Sequence, residues 1–325
     1  LKVLVIGGTR FLGRHVVSSL KKQGYDVTIF HRGRICGLFS GVEEFTGDRD
    51  RGFKGLEHQK FDAVIDTCSY LPSQVESAIA FFKQNIKHYI LISSISAYRD
   101  FLSEGIEETY PLGTLPEIES ITEVTGETYG PLKAACENVL RSQFAGKSLV
   151  VRPGLIVGPW DPTGRFTWWP ARINKGGIIP VPGKETDPLQ FIDVRDLADW
   201  IALAVSNSLS GDFNLVGPEF RLNLSDFISI CEQVSSCKNQ YRWISEKQLE
   251  KEGALFSFSL WCPSSLKEYE FMNSVSNRKA MESGLKFREI SETVKATLDW
   301  WNQQNETEFP LAGPDLETES RLISL

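Results

Sequence analysis

Short apolar runs of strand length recur through the first half of the chain, at Lys2–Ile6, Asp26–Phe30, Val42–Thr46, Asp62–Asp66, His88–Ser93 and Ser148–Arg152. Between them, Phe11–Lys22, Ser73–Gln84 and Tyr129–Phe144 carry apolar residues three and four apart, the spacing of amphipathic helices. Strands separated by helix-length connections predict right-handed crossovers and a parallel, doubly wound α/β sheet. Beyond Gly154 the pattern loosens. Proline and glycine are dense from Pro153 to Pro188, and Trp160, Trp168 and Trp169 fall there. Helical patterns return at Val194–Ser206, Ser225–Ser235 and Ile290–Gln303, and the polar, acidic chain after Gln304 is expected to dock loosely or not at all.

The first strand runs into Gly7-Gly-Thr-Arg-Phe-Leu-Gly13 and then into a helix. Gly7, Gly8 and Gly13, with Thr9, Arg10, Phe11 and Leu12 between them, form the pattern of a turn whose backbone approaches a pyrophosphate at a helix N-terminus. The preceding strand, the helix and the second strand supply the context of a dinucleotide-binding fold. Far downstream, Tyr129 and Lys133 stand four residues apart, on one face of a helix. An ammonium beside a phenol favours the phenolate, which makes tyrosine a usable acid or base near neutral pH. Pro131 between them implies that the helix starts here, where a missing N–H costs nothing.

These motifs, with Ser94-Ile-Ser-Ala-Tyr98, Arg152-Pro-Gly-Leu-Ile-Val-Gly-Pro159, Phe191-Ile-Asp-Val-Arg-Asp-Leu-Ala198 and the stretch Ser276 to Trp301, resemble an extended short-chain dehydrogenase/reductase, in particular the NAD-dependent epimerase/dehydratase family. The resemblance spans nearly all of residues 1–302. It implies a Rossmann-type doubly wound sheet with a smaller C-terminal substrate-binding domain: residues 1–153 binding the dinucleotide, 154–303 the substrate with 188–216 returning to the main body, and an acidic tail at 304–325. It implies Ser94, Tyr129 and Lys133 as the catalytic set, with Ser93 the fallback for Ser94 and Lys133 also holding the nicotinamide ribose. A substrate hydroxyl or carbonyl would lie between Ser94 and Tyr129 while a nicotinamide exchanges hydride with the carbon that bears it; an epimerase or dehydratase would return the hydride, a reductase would not. Asp48 matches an adenine contact beside Arg49. Thr67, Cys68, Tyr70, Ser93 and Pro153 are expected along the cofactor channel.

Two departures from the family pattern concern the cofactor. Arg10 replaces the middle glycine, and His31-Arg32 replaces the acid that holds a 2′-hydroxyl in NAD enzymes. Guanidinium groups suit a 2′-phosphate, so NADP is favoured over NAD. The connection Arg99–Glu127 is long enough for a lid. Tyr98, Arg165, Trp168 and Arg195, together with Ser94, are the candidate substrate contacts; for the tryptophans, Trp169 included, a buried aromatic cluster is the favoured role, and a nucleotide sugar is the substrate commonest among relatives. Glu123 and Glu127 are candidates for an additional base, although surface charge explains both.

The chain has 325 residues, 41% hydrophobic, and a net charge of −7. That charge disfavours nucleic acid and anionic membrane. No apolar run reaches the ~20 residues of a membrane helix, and the opening residues read as a strand, not a signal peptide; a cytoplasmic protein is expected. The six cysteines lack metal-type pairing, so reduced thiols and no metal are expected. Relatives commonly pair helices into a homodimer. Two alternatives stand beside the enzyme reading: the glycine turn also resembles plastid stem-loop RNA-binding relatives, and some atypical members sense NADPH without turnover. The acidic charge argues against the first, and retention of the Ser-Tyr-Lys set argues against both.

Overall fold

A computed structural model describes residues 1–144, 146–235, 237–304 and 309–325. The first half comprises β1 (Lys2–Ile6), α1 (Phe11–Lys22), β2 (Asp26–His31), β3 (Glu43–Thr46), β4 (Phe61–Asp66), α2 (Pro72–Phe82), β5 (Ile86–Ile92), α3 (Gly126–Gln143) and β6 (Lys147–Pro153). The second comprises β7 (Leu155–Val157), α4 (Trp168–Lys175), β8 (Gly177–Pro182), β9 (Pro188–Leu189), β10 (Phe191–Asp193), α5 (Val194–Ser206), β11 (Gly211–Leu215), β12 (Leu222–Asn223), α6 (Leu224–Val234), β13 (Asn239–Ile244), α7 (Glu246–Lys251), α8 (Arg278–Glu282), α9 (Ile290–Trp301) and α10 (Leu316–Ile323).

Seven strands form one sheet in the order β11-β6-β5-β4-β1-β2-β3, every pair parallel. Such a sheet must be covered on both faces, which is why its central strands are apolar throughout instead of alternating. On one face Val16, Val17 and Leu20 of α1 meet Leu197 and Ile201 of α5; on the other, Val75, Ile79 and Phe82 of α2 join Leu140 of α3. A separate core around Trp169, Phe166, Phe227 and Phe258 holds the C-terminal half together.

Two expectations change. Helix α3 starts three residues before Tyr129, because the Thr125 side chain accepts the Thr128 N–H while the Thr128 hydroxyl accepts the Thr125 N–H. Pro131 therefore lies inside the helix, where the missing N–H removes one bond of the ladder. The segment after Gln304 does not hang loose either: Asp315 caps α10, Leu322 is fully buried, and Glu319 accepts from Arg172 Nε at 2.7 Å. Eight residues are too few for a helix to be stable alone, and this one is held by its docking. Residues 305–308 of the predicted tail lie outside the described residues.

At the amino ends of the strands, His88 on β5 is buried, and burial pushes its imidazole from 6.5 down to about 4. A histidine held neutral in the fold takes up a proton on unfolding, so this contribution to stability is present above about 6.5 and lost as pH falls toward 4. Urea unfolding at pH 4.5 and 7.5 is expected to show a smaller acid-induced loss in His88→Asn than in the wild type; equal losses would remove His88 as a cause.

Candidate active site

Gly7 follows β1 at φ +93°, and a Cβ there would lie 2.5 Å from Thr67 Oγ1. On Gly13, in the first turn of α1, it would lie 2.1 Å from the Gly7 carbonyl oxygen. Only glycine lets helix and turn come this close, and the result is a cradle of Thr9, Arg10, Phe11 and Leu12 at the edge of an open cleft. Gly8 differs from expectation: a Cβ there would strike Ile29 and Val17, so its smallness serves packing beneath the turn, and it does not line the cleft.

The cleft encloses about 1070 Å³ at the carboxyl ends of the strands, where open parallel sheets receive ligands. At one end His31, Arg32, Asp48 and Arg49 line it, together with Arg34, which the sequence reading missed despite its place in His31-Arg-Gly-Arg34. Among the described residues, Arg10, Arg32 and Arg34 form no ion pair, leaving three guanidinium groups for an anion. Arg49 is different. Its guanidinium grips the Asp66 carboxylate through Nη1 at 2.8 Å and Nη2 at 2.9 Å, so its charge is already spent in the protein. His31, Cys36 and Glu44 bring possible metal-ligand atoms within 4.8 Å of one another, but the Gly33 N–H donates to His31 Nδ1, which places the imidazole proton on Nε2, facing Glu44. That tautomer is a hydrogen-bond donor, not a metal ligand.

Thr67, Cys68 and Tyr70 follow β4 along the middle of the cleft, with Ser93, Ser94, Tyr129, Lys133 and Pro153. Ser94 caps a short turn by accepting the Ser96 N–H at 3.1 Å. Gly130 lets α3 approach that turn, since a Cβ would come 2.1 Å from the Ser96 carbonyl oxygen; this packing sets Tyr129 beside Ser94. Ser93 donates to Glu137 at 2.5 Å and is thereby committed to the protein.

The expected effect of Lys133 on Tyr129 is not what the geometry gives. Burial pushes the Tyr129 phenol up, opposed by Ser94 and Arg165. Lys133 instead donates to the carbonyls of Ser69 at 2.8 Å and Ile92 at 2.7 Å, and burial pushes its ammonium down. Tyr129 is thus a phenol ready to donate its proton, and Lys133 retains one N–H beyond those two carbonyls.

At the other end Arg165 lines the cleft with Asp161, Thr163, Gln190, Leu260, Trp261 and Asn273. Burial pushes the Asp161 carboxyl up, and the Thr163 N–H and hydroxyl both donate to it. The remaining substrate candidates lie elsewhere. Tyr98 is buried, donating to Asn214 at 2.7 Å; Trp168 belongs to the C-terminal core; Arg195 pairs with Asp193 at 2.6 Å. Trp169 is wholly buried, and Glu123 and Glu127 are exposed outside the cleft.

The family model of the NAD-dependent epimerase/dehydratase family matches residues 3–216, well over half of the chain. The chain belongs to that family. Among curated relatives of this epimerase/dehydratase chain, the chloroplast stem-loop binding protein of 41 kDa b of Arabidopsis thaliana is 27% identical over 67% of the chain and 59% of its own length. A UDP-glucose 4-epimerase of Lactobacillus helveticus is 28% identical over 43% and 46%, respectively. The chain thus spans less than two thirds of either relative. A UDP-glucuronic acid 4-epimerase from Bacillus cereus, solved in complex with NAD, superposes with a TM-score of 0.66 at 15% identity, over 94% of this chain and 98% of that one, a likeness of fold. No helix among the described residues is long and apolar enough to cross a membrane.

Proposed function

We propose that this member of the family transfers a hydride between a nicotinamide cofactor and a hydroxyl- or carbonyl-bearing carbon of a nucleotide sugar, with NADP the preferred cofactor. The observation that carries the reading is that Ser94, Tyr129 and Lys133 line the same cleft as the glycine cradle. The cradle fits the cofactor's pyrophosphate, because Gly7 and Gly13 let the turn and the first turn of α1 close up on each other.

When bound, the cofactor supplies or accepts the hydride. Tyr129 would then give its phenolic proton to the carbonyl oxygen being reduced, and the phenolate so formed would take a proton back in the reverse step. Ser94 holds the same oxygen by a hydrogen bond. Lys133 would hold the nicotinamide ribose through its remaining N–H. At the opposite end Arg165 provides the positive charge a diphosphate would meet.

The preference for NADP is supported by Arg10, Arg32 and Arg34, with no ion pair among the described residues and no carboxylate in the place of His31-Arg32. Calorimetry with NADP and NAD tests it. Arg32→Ala is expected to lower the preference for NADP at least about tenfold, since a charge-assisted hydrogen bond is worth ~1.5–3 kcal/mol and NAD has no 2′-phosphate to make one. Equal weakening of both cofactors would sink the assignment. Thermal shift with NADP, NAD, UDP-sugars and a stem-loop RNA tests the wider reading: stabilisation by a dinucleotide and a UDP-sugar is expected, and stabilisation by RNA alone would replace this function with RNA binding.

A further inference from the structure

Asp66, at the end of β4, is a fully buried carboxylate that accepts five hydrogen bonds: two from Arg49, one from Ser69 Oγ at 2.5 Å, one from Tyr89 OH at 2.7 Å and one from the Cys68 N–H at 3.2 Å. Arg49 holds it at about 2, so it remains charged throughout the working pH range. So many donors on a group that never reaches the cleft exceed what anchoring one strand end requires. Two of the five come from the turn after β4, from Ser69 and Cys68, and Arg49 Nη2 also donates to the Gln74 carbonyl at the start of α2. From the other side Gln74 Oε1 accepts the Tyr70 and Leu71 N–H groups. The turn is fixed at both ends, and the Ser69 carbonyl that it presents is one of the two acceptors of Lys133 Nζ.

We propose that Asp66 is a positioning residue for Lys133: by holding the Ser69 hydroxyl it aims the Ser69 carbonyl at the Lys133 ammonium and so directs that group into the cleft. The proposal rests on the reading of Lys133 as a cofactor and catalytic group. It also gives Arg49 its place, as the group that keeps Asp66 ionised. The other titratable groups facing Lys133 are Cys68 and Tyr70 from the same turn and Cys136 one turn along α3, and Tyr70 places its ring 5.1 Å from Nζ.

The test is the titration of Lys133 itself, without cofactor or substrate. Protein labelled with ¹³C at the lysine ε-carbon is titrated by NMR, the resonance being assigned by its loss in Lys133→Met. An Asp66 variant would unfold the site, so the variants are Ser69→Ala, which keeps the Arg49–Asp66 pair, and Tyr89→Phe, which removes a bond to the same carboxylate from outside the turn. Freeing the carbonyl disfavours the charged ammonium, so the Lys133 midpoint is expected to fall by about one pH unit in Ser69→Ala, roughly one charge-assisted hydrogen bond, and to stay in place in Tyr89→Phe. A wild-type midpoint in Ser69→Ala, or an equal fall in both variants, overturns the proposal. NADPH binding to Lys133→Met is read separately: unchanged affinity would remove Lys133 from the cofactor site and leave the titration result standing.

Discussion

Tyr129→Phe is expected to lose ~10²–10⁴-fold in kcat while binding NADPH nearly as tightly as the wild type. The ring that packs in the cleft, 6.4 Å from the Tyr70 ring, is retained and only the proton-transfer group is lost. Steady-state kinetics on the nucleotide sugar found by ligand screening, with NADPH fluorescence titration alongside, check both halves of the expectation. A variant with wild-type kcat would place the proton transfer elsewhere, and the buried Asp161 carboxyl is the next group in the cleft to examine.

The largest effect on stability is expected behind the site. Glu137 is fully buried and accepts from Ser93, from Arg152 through Nε at 3.0 Å and Nη2 at 2.7 Å, and from Arg141 at 2.9 Å. Glu137→Ala leaves the Arg152 guanidinium buried with one carboxylate fewer, at a cost of ~3–5 kcal/mol, because the desolvation of the remaining charge is no longer offset. Removing both charges, as Glu137→Met with Arg152→Met, is expected to recover most of that loss. Denaturant midpoints of the single and double variants decide it: a single variant as stable as the wild type would mean that water or Asp212 already satisfies Arg152.

The parts of this molecule legible in its sequence are those where one local rule suffices. The strand β1, the turn at Gly7–Gly13 and helix α1 are contiguous, and their apolar spacing and glycines state their geometry directly. The same holds for α5, whose bounds, Val194–Ser206, coincide with the predicted helix. Arg195, Trp168 and Tyr98 were misplaced because residue type says what a side chain can bind but not where the fold turns it: Arg195 meets Asp193 within its own turn, and Tyr98 meets Asn214, more than a hundred residues away. Arg49 was placed with the cofactor contacts, and nothing in the sequence shows that its guanidinium is held by Asp66, at the end of β4. Asp161, Gln190, Trp261 and Asn273 carried no signal at all. Each reaches the cleft through tertiary packing of the loosely patterned C-terminal half.

The late part of the chain reaches the same cleft as the early part. The match to the family ends at residue 216, whereas Leu260, Trp261, Met272 and Asn273 line the same cleft as the glycine turn. Leu260 is held there at φ +76°, a backbone state that costs a bulky residue energy and so marks a position maintained by its surroundings. The glycine turn at Gly7–Gly13 lies more than two hundred residues earlier in the chain, so the two parts of the cleft wall can be varied independently. On the proposed function, substitutions at these four positions would change substrate choice separately from cofactor binding.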